Sequence, residues 1–499
     1  MGLAVTGLAL SAIAVLWSAA PTPIPVQFEP TWTSLRQYQV PSWYEDAKFG
    51  IFIHWGAYSV PAFGNEWYPR RMYQPFRTSP TGVASDREDP VFKFHAGKFG
   101  AQSKFGYKDF IPMFKGESFN ADQWADLFQK AGARYVVPVA EHHDGFAMYA
   151  STQTRWNAAN MGPRRDVLGE LGAAVRKRGM RLGASSHYAF NWRYYTCADD
   201  FDTCDPKNTD LYHQPHPLNQ PASKEFLDHW YARTKEIIDK YQPRVFWFDF
   251  CFNEPEFDEP RRRLTAYYYN EAQKWGDGVV LNYKTHVGQG FPDGTAVLDI
   301  ERGKLDKTRE MVWQTDTSIS IRSWGYIEND EFRTPDSLVD DLVDIVSKNG
   351  VLLLNVGPRA DGTIPEEEQK ILLEMGKWLQ VNGDAIYGTR PWKTFGEGPT
   401  QVSEGAFSER NNKAFTSGDI RFTRKGDVLY AIALAWPREE LVIRALATGS
   451  PHESRRVAAV RLLGANQHLK FSQDESGLKL AVPAQAPSEY AHAFKVTFQ

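Results

Sequence analysis

Short apolar runs recur through the first three quarters of the chain, most of them closed by a His, Glu or Asp, and stretches with apolar positions every three to four residues lie between them. The amphipathic stretch 121–132 leads into the run 135–140, and 166–179 leads into 181–186. The pattern repeats as 223–241 into 245–249, 261–275 into 279–283, and 336–349 into 351–354. Alternation of this kind predicts a parallel sheet built from strand–helix units. With 49–54 at the start and weaker candidates at 297–300 and 311–314, eight strands are expected. The fold class is therefore α/β, an irregular (β/α)8-like barrel with fewer than eight helices. After a helix at 366–381 and the turn Asn382-Gly383-Asp384, helical spacing stops. Short strands follow at 419–423, 428–435, 440–445, 457–463, 478–482 and 493–498, the mark of a C-terminal β-sandwich. The barrel is expected over 28–388 and the sandwich over 389–499, with the change near Gly388 to Pro391.

Length agrees with two domains, since 499 residues exceed what one core holds. A net charge of −4 leaves no concentrated basic face for nucleic acid or an anionic membrane. Sixteen Trp and twenty-two Tyr suit a protein that handles sugars, whose C–H faces stack on aromatic rings, although large cores use the same residues. Residues 1–20 are apolar and end in Trp17-Ser18-Ala19-Ala20 before a Pro-rich stretch, which reads as a signal peptide. Ser11 and Ser18 make the run a poor membrane span. Export, periplasmic or secreted, is expected, with no membrane association after the signal is removed. Cys197 and Cys204 stand seven apart and could pair, leaving Cys251 single, and no Asn-x-Ser/Thr sequon occurs.

The chemistry gathers at the ends of the apolar runs. His54 and Trp55 close the first, Glu66-Trp67-Tyr68 follows, and Glu141-His142-His143-Asp144 closes the second. A lone His at a strand end is usually a core residue. Four ionisable residues in a row are harder to bury, because each unpaired polar group costs about 1–3 kcal/mol. No His-Glu-x-x-His spacing or cysteine cluster accompanies them, so no metal and no cofactor is expected. Neutral imidazoles binding substrate hydroxyls explain the cluster better. Asp249 has only Trp247, Phe248, Phe250 and Cys251 around it in sequence, which suits a carboxylate reserved for substrate. Retaining glycoside hydrolysis needs a second carboxyl group about 5–5.5 Å away. Glu301 is the best-placed candidate, with Glu66, Glu254, Glu256 and Asp299 as rivals.

Taken in order, the FGIFIHWG element ending at Gly56, Glu66-Trp67-Tyr68, the Glu141 to Phe146 motif EHHDGF, Trp247-Phe248-Asp249, Glu301 ahead of Trp324-Gly325-Tyr326, and VSKNGVLLLNVGP ending at Pro358 resemble glycoside hydrolase family 29, the α-L-fucosidases. The resemblance covers about residues 40–390. It implies a retaining double displacement through a covalent fucosyl-enzyme, without metal, on fucosylated oligosaccharides or glycoconjugates. By it Asp249 is the nucleophile and Glu301 the acid/base. His54, Glu66, Trp67, His142, His143 and His187 bind the sugar, and Trp247 lines the pocket. Phe250, where many members carry Gly, and Ser185-Ser186-His187-Tyr188 after the third strand point to a divergent subgroup. Two alternatives stay open: a non-catalytic, lectin-like fucose-binding barrel, and a retaining glycosidase for a related sugar such as an α-L-galactoside. Residues 72–110 are expected to form a long loop shaping the aglycone subsites.

Overall fold

The computed structural model describes residues 27–78, 84–198, 200–284, 290–438, 440–465 and 468–499. The expected signal peptide, 1–20, lies outside the described residues. Eight parallel strands close a barrel: β1 (Phe49–Ile53), β2 (Tyr135–Glu141), β3 (Arg181–Ser186), β4 (Val245–Phe248), β5 (Val280–Lys284), β6 (Val297–Asp299), β7 (Trp313–Ser318) and β8 (Gly350–Val356). β1 pairs with both β2 and β8, which completes the ring. Phe52, Val137, Val245, Trp247, Val280 and Leu353 fill its interior as one apolar cluster.

Among the described residues six helices of ten or more residues flank the barrel: α1 (Ala121–Lys130), α2 (Val167–Lys177), α3 (Lys224–Tyr241), α4 (Asp258–Trp275), α5 (Pro335–Ser347) and α6 (Glu366–Asn382). Their starts are written locally. Asn120, Asp166, Ser223 and Thr334 each accept a backbone N–H of the first turn, and Pro335 occupies the first helical position of α5, where no N–H is required. Among the described residues no helix separates β5 from β6 or β6 from β7, in line with a barrel short of eight helices.

Two strand expectations need correction. The seventh strand runs over Trp313–Ser318 rather than 311–314, because Gln314, Thr315, Asp316, Thr317 and Ser318 are buried although polar. The fifth extends one residue further, to Lys284. Residues 72–110 also hold more than a loop: a hairpin of Phe76–Thr78 with Ala84–Glu88, the helix Pro90–Lys98 and the start of a 3-10 segment at Tyr107.

The C-terminal part is two antiparallel sheets. β9 (Arg390–Glu397), β10 (Ile420–Lys425), β11 (Val428–Ala433), β13 (Val457–Leu462) and β16 (His492–Phe498) form one in the order β9-β10-β11-β16-β13; β12 (Glu440–Ile443), β14 (Phe471–Asp474) and β15 (Gly477–Ala481) form the other in the order β12-β15-β14. Phe422, Ala431, Phe494, Leu441, Leu478 and Leu480 pack between them. β9 and β14 escape the sequence pattern because neither buries a continuous apolar face. The sandwich docks on α5 and α6: Arg421 Nε lies 2.6 Å from Asp344 Oδ1, Lys348 Nζ 2.8 Å from Asp344 Oδ2, and Trp378 Nε1 donates to the Ala491 carbonyl at 2.6 Å.

Candidate active site

The C-terminal ends of the barrel strands converge on a narrow cleft lined by His54, Glu66, Trp67, His142, His143, His187, Trp247, Asp249, Phe250, Lys284, Glu301, Asp316 and Trp324. Larger hollows of about 670 and 560 Å3 open beside α3 and on the sandwich. They collect no comparable set of buried ionisable groups. The chemistry therefore belongs to the smaller cleft, at the strand ends where barrels of this type act.

Lys284 organises it. Its ammonium, 3 % exposed, lies 3.2 Å from Asp249 Oδ1, 2.7 Å from Glu301 Oε2 and 3.6 Å from Asp316 Oδ2, and 4.5 Å from the centre of the Trp247 ring. Burial opposes the charge, but the carboxylates of Asp249, Asp316 and Glu301 outweigh it and hold the amine well above its usual range. Two carboxylates on one ammonium must be close: the oxygens of Asp249 and Glu301 that touch it are at most about 6 Å apart.

Asp249 is buried, which by itself raises a carboxyl pKa, yet Lys284, His143 Nε2 at 3.2 Å and His187 Nδ1 at 3.1 Å hold it well below the usual carboxylate range. Asp316 behaves oppositely. Burial and the neighbouring Asp299 charge push it well above that range. Asp299 itself accepts from Trp247 Nε1 at 3.1 Å and Gln314 Nε2 at 2.8 Å, beneath the cleft.

The histidines are held in fixed orientations by their ring nitrogens. Asn355 Nδ2 donates to the Trp324 carbonyl at 2.7 Å, so its Oδ1 accepts from His54 Nδ1 at 2.7 Å, which leaves the His54 Nε2 lone pair for the cleft. His143 Nδ1 donates to the His187 carbonyl at 2.7 Å. His142 is buried, and its Nδ1 has no hydrogen-bond partner among the described residues. Burial pushes His54 and His142 well below the imidazole range and His187 down to about 4. One ligand atom each from His54, His142 and His187 lies within 4.8 Å of the others, as do those of His143, His187 and Asp249. Both sets have the composition to hold a transition metal. They share His187, and Lys284 beside Asp249 opposes a divalent ion in the second.

Residues 15–384 match the family described as alpha-L-fucosidase, and 412–497 match the alpha-L-fucosidase C-terminal domain. Tissue alpha-L-fucosidase of Bos taurus is 32% identical over 492 residues, spanning 95% of this chain and 92% of that protein. The chain belongs to the α-L-fucosidase family. Plasma alpha-L-fucosidase of Homo sapiens is likewise 32% identical, over 94% of this chain and 92% of its own. Thermotoga maritima alpha-fucosidase, solved in complex with fucose, superposes with a TM-score of 0.73 at 32% identity, covering 94% of this chain and all of that one.

In this α-L-fucosidase family member the cleft brings together His54, Glu66, Trp67, His142, His143, His187, Trp247, Asp249 and Glu301. Glu66 Oε2 accepts from Trp324 N at 2.9 Å and Ser323 Oγ at 3.2 Å. Trp67 stacks on Phe250 at the rim, with planes 8° apart. Glu254 and Glu256 turn away, each paired with Arg193. The Glu141 to Asp144 cluster divides: Glu141 is locked to Arg233 at 2.7 Å, and Asp144 accepts from Tyr107 Oη at 2.5 Å, so only its two histidines reach the cleft. Sequence reasoning did not single out Lys284 or Asp316 as site residues. The missed signal is a polar residue ending a barrel strand: Lys284 closes the run 279–283, and Asp316 sits inside a strand too polar to stand out. Cys197 and Cys204 form a disulfide; Cys251 is a buried thiol that burial pushes up to about 12, beyond ordinary nucleophilic use.

Proposed function

We propose that this chain is an exported, retaining α-L-fucosidase that removes terminal α-L-fucosyl residues from oligosaccharides or glycoconjugates. The observation that carries the reading is the pairing of Asp249 and Glu301 on Lys284. Their lysine-bound oxygens lie at most about 6 Å apart, close enough for a nucleophile and an acid to act on one glycosidic bond. Asp249, held ionised, attacks the anomeric carbon while Glu301 gives its proton to the departing oxygen. The bond to the aglycone breaks and a β-fucosyl ester forms. Glu301, now a carboxylate, takes a proton from water, which displaces Asp249 and restores the α configuration. His54, His142 and His143, with Glu66 and Trp67, hold the hydroxyls and the sugar face; Trp247 and Trp324 wall the pocket, and His187 orients the nucleophile as well as facing the sugar.

A second reading of the acid rests on Asp316, which lines the same cleft and whose carboxyl is pushed well above the usual range by burial and Asp299. We assign residues 28–388 to catalysis and 389–499 to the sandwich, and read 1–20 as a leader removed on export; the amino terminus of the mature protein tests the last point. Proton NMR during hydrolysis of an aryl α-L-fucoside tests the mechanism. α-Fucose should appear first and mutarotate later, and β-fucose as first product would sink the retaining scheme.

A further inference from the structure

Glu301 stands on a segment that the C-terminal part of the chain holds from behind. Phe407 N donates to the Glu301 carbonyl at 2.7 Å, Glu409 N to the Arg302 carbonyl at 3.1 Å, and Gly405 N to the Lys304 carbonyl at 2.9 Å. The Glu409 carboxylate then takes Arg302 Nη1 at 3.1 Å, Thr317 Oγ1 at 2.7 Å and Arg333 Nη1 at 3.4 Å. Arg302 passes the contact on. Its guanidinium donates to the Ser320 and Ser323 carbonyls and lies 4.5 Å from the centre of the Trp324 ring, which walls the cleft. The fit leaves no slack, since a Cβ on Gly303 would stand 1.9 Å from the Gly405 carbonyl oxygen.

Backbone conformation agrees with a clamp. Arg302 at φ 44° and Phe407 at φ 57° are non-glycine residues in the left-handed region, on facing sides of this contact. Such conformations cost on the order of 1–3 kcal/mol each and persist only where the surroundings impose them. Here Glu409 and the three backbone bonds impose them on the residue next to the proposed acid.

We propose that Glu409 is a positioning residue for catalysis: the 403–411 segment of the C-terminal part sets the orientation of Glu301 through Arg302. This rests on Glu301 as the acid/base. A general acid works only within hydrogen-bond reach of the leaving oxygen, and misplacement by about 1 Å can cost on the order of a hundredfold. The sandwich then serves turnover and not stability alone.

The test compares Glu409→Ala, Glu409→Gln and Gly303→Ala with Glu301→Ala and wild type, on an unactivated alkyl fucoside and on an aryl fucoside with an activated leaving group. Thermal midpoints are recorded for each. Glu409→Ala should lose about tenfold or more in kcat/KM on the alkyl fucoside and under about threefold on the aryl one, with Glu409→Gln between it and wild type. Gly303→Ala, which pushes the segment away without touching its charges, should show the same discrimination if Glu409→Ala proves too unstable to assay. Azide should accelerate Glu301→Ala but not Glu409→Ala, whose acid is displaced rather than absent. Equal losses on both substrates in Glu409→Ala and Gly303→Ala, while Glu301→Ala discriminates, would leave the segment a purely structural brace and overturn the proposal alone. If Glu301→Ala itself fails to discriminate, the acid/base assignment falls and the positioning role falls with it.

Discussion

Asp249 and Asp316 face each other across Lys284, both buried, at 3.2 and 3.6 Å from the same ammonium. One is held well below the usual carboxylate range and the other pushed well above it. Burial pushes both upward, so burial does not decide. The partners do: Asp249 receives two imidazoles besides the lysine, whereas Asp316 meets the Asp299 carboxylate. Two acids of one kind in one cleft thus acquire different uses, the pattern expected wherever environments drive paired pKa values apart.

The largest effect should come from the ionised side. Asp249→Ala should fall below about a hundredth of wild-type kcat, a loss of at least roughly 3 kcal/mol of transition-state stabilisation, with azide restoring part of it as β-fucosyl azide. Retention of more than that would remove Asp249 from the nucleophile role and erase the contrast.

Next in size is the proton donor. Glu301→Ala should lose about 10²–10⁴-fold on a natural fucoside and far less on an activated aryl fucoside, with the alkaline limb of the pH profile flattened. Asp316→Asn, measured beside it, should show no such dependence on leaving group. The reverse result would hand the acid role to Asp316 and redraw the comparison with Glu301 as the bystander.

Stability sharpens the same contrast by sign. A carboxyl with a raised folded pKa ionises more readily unfolded, so wild-type stability declines as pH rises from about 3.9 towards the folded value of Asp316. Asp249, depressed in the fold, contributes above the unfolded value and loses that contribution as acid carries the pH down through its folded one. Asp316→Asn should therefore gain on wild type as pH rises above about 3.9, by at most about 1.4 kcal/mol per unit. Parallel melting curves for the two proteins across that range would mean that Asp316 is ionised after all.

The smallest effect expected is that of metal removal. Although the histidine sets are spaced for a transition ion, we expect the imidazoles to serve hydroxyls, so dialysis against EDTA should leave kcat/KM within about twofold, while His142→Ala should weaken fucose binding and slow turnover together. Stoichiometric metal, lost with activity and restored with it, would contradict this.

What the sequence discloses follows from the same physics. β4 is legible because Val-Phe-Trp-Phe is apolar on both faces and its terminal aspartate breaks the pattern. β7 is not, since its buried polar residues are satisfied by partners far off in sequence or on another strand, such as Gln314 with Tyr44, Tyr135 and Asp299. Asp249 looks isolated in its own neighbourhood for the same reason: Lys284 lies thirty-five positions on and only the closed barrel brings it back. The His142 and His143 pair is readable as chemistry, but the division of their flanking acids into braces depends on Arg233 and Tyr107, which no local spacing announces.

Asp344, fully buried between Lys348 and Arg421, has a bearing on recombination between relatives. One of its cations belongs to the barrel and the other to the sandwich, so both carboxylate oxygens are paired only when the two halves come from compatible parents. A sandwich lacking an arginine at the place of Arg421 would leave Asp344 Oδ1 in the seam without its partner while Lys348 still balances the charge, a defect worth about 1–3 kcal/mol in a fold whose whole margin is about 5–15. Chimaeras within the family should accordingly sort by this one pairing, those that split it melting at lower temperature than those that preserve it.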